Sequence, residues 1–147
     1  MKNPLKYLLK LHDALWADAF YFEKYVNRRE RNWKRATYIN MSLILSFNIA
    51  TFLSILNYLG YDKTIYLDKF LLSTMPSKTM AKLVIGILEV LLPAFAFSYF
   101  TVFFTKRYKY ILDNFEYKNG KLIKIYLFST ILFYWGFIIL RYFLTKD

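Results

Sequence analysis

Glu89 stands in the segment GILEVLLPAF, residues 86–95, with apolar residues on both sides. An ionised carboxylate near the middle of a bilayer costs roughly 2.5–3.5 kcal/mol on insertion scales, so it needs a partner or a task. Three chemistries fit. Arg141 supplies a guanidinium able to hold the carboxylate in an ion pair, and Tyr134 can donate to the same group. In the second case the carboxyl is protonated and hydrogen-bonded within a helix interface. In the third it lines a water-filled path, where acids from several copies form the ring that cation pores use. Pro93, four residues on, has no N–H to give to the Glu89 carbonyl, and a kink is expected there.

Other chemistry is scarce. The sole histidine, His12, has Asp13 beside it, but two residues without further clustered ligands do not make a metal site, and a solvated or interfacial imidazole is expected. Asp13 and Asp18 are five apart, a spacing that sends them to different sides of a helix, so they do not converge as an acid/base pair and both read as solvated. No phosphate-binding glycine loop, nucleophile elbow or HExxH motif is present. The chain has no cysteine, which removes disulfides and thiolate metal sites. No enzymatic activity and no cofactor are expected.

The elements that must position these residues follow from composition. The 147 residues are 57% hydrophobic and 22% aromatic, too apolar for a soluble surface. The apolar residues gather in three runs, 38–59, 80–104 and 123–144, each at or above the ~20 residues a helix needs to cross ~30 Å of hydrocarbon. The expectation is a single all-α membrane domain over 1–147, three transmembrane helices preceded by a basic amphipathic segment at 1–37. If the inner ends of the second and third spans lie at one depth as an antiparallel pair, Glu89 is level with about Ile138, and Arg141 is three residues, about 4.5 Å, further out. From there Arg141 can reach Glu89 or snorkel to the outer interface. Ser42, Ser46, Ala50 and Ser54 recur every fourth residue as a small-residue ridge that lets another helix approach, within the subunit or between subunits. Gly86, Glu89, Pro93 and Ala96 share a side of the second span. Tyr126, Thr130, Tyr134 and Arg141 form a stripe on the third.

Charge gives orientation. Nine basic residues precede the first span: Lys2, Lys6, Lys10, Lys24, Arg28, Arg29, Arg31, Lys34 and Arg35. Five more lie between the second and third: Lys106, Arg107, Lys109, Lys118 and Lys121. The first connection carries only Lys63, Lys69 and Lys78, and the tail beyond the third span only Lys146. The positive-inside rule therefore places the N-terminus in the cytoplasm and the C-terminus outside. Leu8, Leu11, Leu15, Ala19, Phe22 and Val26 follow helical steps against Lys6, Lys10, Asp13 and Lys24. That face suits the head-group layer or a second protein helix equally. Tyr108, Ile111, Leu112 and Phe115 repeat the pattern before the Asn119-Gly120 turn. In the outer connection, Leu67, Phe70, Leu71 and Leu72 are apolar enough to dip into the interface, and Pro76 breaks any long helix there.

The net charge of +11 points to anionic lipid head groups as partner, contacted by Arg28, Arg29, Arg31, Lys34 and Arg35, with a polyanion or nucleic acid a weaker fit. The functional expectation is a small self-associating membrane protein that forms a channel or pore, such as a membrane-permeabilising effector, in a plasma (inner) membrane. The alternative is a non-catalytic subunit or anchor of a larger membrane complex that docks a cytoplasmic partner.

Overall fold

The structure, a computed structural model, describes residues 4–29, 31–61 and 65–144. Lys2, Lys63 and Lys146 lie outside the described residues, as do the side chains of Leu67 and Lys69. The described residues are helical, without strands. Helix α1 (Pro4–Tyr21) continues into a π turn, Phe22–Val26. Pro4 opens α1, where its fixed φ fits and its missing N–H costs nothing. Helix α2 (Trp33–Tyr58) follows, then α3 (Ile65–Thr74). The second apolar run is one rod, Lys78–Phe104, built from α4 (Lys78–Gly86), a π turn (Ile87–Leu91), α5 (Leu92–Ser98) and a second π turn (Tyr99–Phe104). Helix α6 (Arg107–Asn114) leads to α7 (Lys121–Leu144). Three helices, Trp33–Tyr58, Lys78–Phe104 and Lys121–Leu144, are long and apolar enough to cross a membrane, close to the runs read from sequence.

Local chemistry explains the joints. Pro93 removes one α-type donor, and the helix widens just before it: Leu92 N–H reaches back five residues to the Ile87 carbonyl. Pro76 separates α3 from α4, and Ser77 caps α4 by accepting from the Met80 N–H. Among the described residues three non-glycines take left-handed backbone, Arg28 (φ 49°), Lys106 (φ 53°) and Asn119 (φ 55°), and each sits at a reversal between α1 and α2, the second span and α6, or α6 and α7.

Packing corrects one expectation. The second and third spans both lie against α2 and make no comparable contact with each other among the described residues. The antiparallel pair that set Glu89 level with Ile138 is therefore not the main packing of either helix. A second correction concerns the polar face of α1. Asp13 and Asp18 are buried, not solvated, because α1 is wedged among α2, α6 and α7, and Glu23 in the π turn that follows is buried with them. The last turns of α1 supply the core: Trp16 and Phe20 stack edge-on with Phe103, and Ile111 of α6 closes the cluster. Leu5, Tyr7, Leu8, Leu9 and Leu11, at the start of α1, remain exposed. The basic segments around residues 24–35 and 106–124 thereby meet at one end of the molecule, the base.

Candidate functional site

The base is organised by three acids, two of α1 and one of the π turn that follows it, each meeting different partners. Asp13 Oδ2 accepts from Arg107 Nη2 at 2.8 Å, and its Oδ1 lies 3.3 Å from His12 Nδ1. His12 Nε2 in turn accepts from Trp16 Nε1 at 3.0 Å, so His12 stands half-buried in a hydrogen-bonded chain rather than free in the interface. Asp18 is fully enclosed and accepts four backbone N–H groups. Lys118 (2.9 Å) and Gly120 (3.0 Å) reach Oδ1, and Leu122 (2.8 Å) and Ile123 (3.2 Å) reach Oδ2. Leu122 and Ile123 belong to the first turn of α7, whose N–H groups have no partner within the helix, so an anion there is satisfied by hydrogen bonds and dipole together. Burial, and then the Asp18 carboxylate, push the nearby Tyr117 hydroxyl above the ordinary tyrosine value.

Glu23, in the π turn after α1, accepts from Asn40 Nδ2 of α2 through Oε1. Its Oε2 is buried and receives no hydrogen bond, although Arg29 Nε lies 3.5 Å away, near enough for an ion pair but not aligned to donate. A recess of about 360 Å³ opens beside it, walled by α1, α2 and α7. A smaller cavity of about 60 Å³, the size of a water or two, lies between His12, Trp16, Ser98 and Tyr126.

The basic cluster covers the outside of this frame. Arg28, Arg29 and Arg31 line an open depression with Asn32, while Lys34 lies 4.6 Å over the Tyr108 ring and 5.4 Å over Trp33. Arg35 is exposed.

Within the spans, the ridge faces inward over part of its length: Ser42 and Ser46 are buried, and Ala50 and Ser54 are half-buried. Their counterpart on the second apolar rod is the line Ala94 and Ser98 of α5 and Val102 of the π turn after it, each at most 1% exposed, whereas Pro93 is exposed. The π turns shift the helical register, so the buried side departs from the Gly86, Glu89, Pro93, Ala96 line read with an ideal α period. The spacing Ala94-xxx-Ser98 carried that signal. Glu89 is half-buried inside the first π turn. Tyr134 packs edge-on against Phe47 of α2, with ring centroids 5.5 Å apart. Arg141 is exposed and borders a shallow depression with Ser54.

Asn40 and Asn48 are the polar groups that residue patterns passed over. Asn48 donates to Tyr126 Oη at 2.6 Å and accepts from Thr130 Oγ1 at 3.3 Å, tying α2 to α7. Two amides eight residues apart in an apolar helix were the available sign, since each needs a partner in hydrocarbon. Among the described residues no three metal-ligating side chains cluster. Compared with protein-family models, curated proteins and solved structures, the chain has no match.

Proposed function

We propose that this chain is a non-catalytic integral membrane subunit, an anchor whose base presents a basic docking face at the inner surface of a plasma membrane, with the N-terminus inside and the C-terminus outside. The observation that supports this reading most is that α1 is held to α6 by the Asp13–Arg107 ion pair and to the start of α7 by the Asp18 cap, while Arg28, Arg29, Arg31 and Arg35 remain exposed on the outside. Rigid support lowers the ordering cost of a charged contact. Anionic head groups and an acidic surface of a neighbouring protein are complementary to that face. The test is the mass of the complex extracted in mild detergent, for the natural chain and for a variant with Arg28, Arg29, Arg31, Lys34 and Arg35 neutralised. A hetero-complex that falls apart in the variant supports docking. A chain that is monomeric in both, with unchanged preference for anionic lipid, defeats it.

One observation favours a second reading, a self-associating pore. Glu89 sits half-buried in a π turn before Pro93, an irregularity frequent at functional sites. On that reading Glu89→Gln alters cation flux in reconstituted bilayers without changing assembly.

A further inference from the structure

We propose that the recess between α1, α2 and α7 binds one phospholipid whose head group carries a primary ammonium. This rests on the membrane-spanning character of the helices and not on the docking reading above. The recess extends along α2 from Thr37 to Phe47, ten residues or about 15 Å of helical rise, so it runs along a span from its basal, head-group end toward the hydrocarbon. Its volume of about 360 Å³ falls in the range of small-ligand sites. The deep part is walled by Ile44, Phe47 and Leu127. Leu43 and Phe47 are 41% and 40% exposed, so one side lies open to surrounding lipid, and an acyl chain can enter laterally.

The polar end decides which lipid. Glu23 is 4% exposed and lines the recess, with Asn40 occupying one carboxylate oxygen and the other, 3.5 Å from Arg29 Nε, receiving no hydrogen bond. A carboxylate only accepts, so the occupant must bring N–H or O–H groups. A primary ammonium brings three. Around the same end stand cations suited to the phosphate of such a lipid: Lys124 Nζ lies 5.6 Å over the ring of Phe22, itself a wall of the recess, and Arg29 lies beside Glu23. An acid within and cations at the rim complement a zwitterion with its ammonium directed inward and its phosphate outward.

Methylation of the head group provides the test, because phosphatidylcholine keeps the charges and chains of phosphatidylethanolamine but has no ammonium N–H. Purified full-length protein is titrated with dioleoyl forms of each, and bound lipid is read by native mass spectrometry. Phosphatidylethanolamine is expected to bind about tenfold more tightly. Leu43→Trp, which fills the mouth from a half-exposed position, should weaken both lipids severalfold, and Glu23→Gln should erase the preference. Equal affinity of the two lipids for the natural chain overturns the proposal. So does binding of both lipids that Leu43→Trp leaves unweakened, or tighter binding of phosphatidylglycerol, which would mark attraction to the basic surface alone. The natural chain and Leu43→Trp decide the matter even if Glu23→Gln fails to fold.

Discussion

Asp18 has exchanged water for four backbone N–H groups, two of them in the first turn of α7, and so complete a set of donors offsets the cost of burying a carboxylate. Asp18→Asn keeps the shape but turns one oxygen into a donor facing N–H groups. The expected loss is about 3 kcal/mol, read as a lower unfolding temperature in detergent. An unchanged transition would show that the cap contributes nothing. Glu89 and Arg141 call for a different measurement. If they interact, Glu89→Gln and Arg141→Gln should be non-additive by at least ~0.5 kcal/mol in a double-mutant cycle, and additivity would remove the ion pair.

The π turns, the capped start of α7 and the left-handed joints are the features that give each element its place. Gly120 illustrates how tightly one joint is made. Its φ is +70°, its N–H is bonded to Asp18, and a Cβ built there would lie 2.5 Å from Phe22 Cδ2. Gly60 also has a positive φ, +84°, but nothing lies within 4 Å of a Cβ built on it. Gly60→Ala therefore carries the backbone cost alone, about 1 kcal/mol, and Gly120→Ala should exceed it by a further 1–3 kcal/mol of overpacking. Adding Phe22→Leu to Gly120→Ala should return part of the difference. Equal losses at the two glycines would mean that the Phe22 ring simply moves aside. The same tightness makes the Asn119-Gly120 turn a poor place for an inserted reporter.

For the whole molecule, the basic segments share one end, so the positive-inside rule acts on a single surface. A chain without cysteine allows this to be read directly. Introduced as Lys109→Cys, a thiol at the exposed base should be protected from a membrane-impermeant maleimide in intact cells. As Tyr61→Cys at the opposite end, it should be labelled. The reverse pattern would invert the orientation. Neutralising Arg28, Arg29, Arg31, Lys34 and Arg35 should weaken binding to anionic vesicles by about 1 kcal/mol for each residue that lies near the surface, checked by vesicle flotation at fixed salt.

The three helices long and apolar enough to cross a membrane were legible in the sequence because the cost of leaving backbone and polar groups in hydrocarbon acts on composition and length, which are local. The Asn119-Gly120 turn, the Pro76 break and the apolar face of α6 were legible for the same reason: φ preferences and helical periodicity involve neighbours only. The fate of Asp13, Asp18 and Glu23 was not. On a helix wheel they point in three directions, and Asp13 and Asp18 read as solvated, whereas the partners of the three, Arg107, Lys118 to Ile123 and Asn40, lie far along the chain. Whether a carboxylate keeps its water or exchanges it for buried donors depends on what packs around it. Only the wedging of α1 among α2, α6 and α7 decided that.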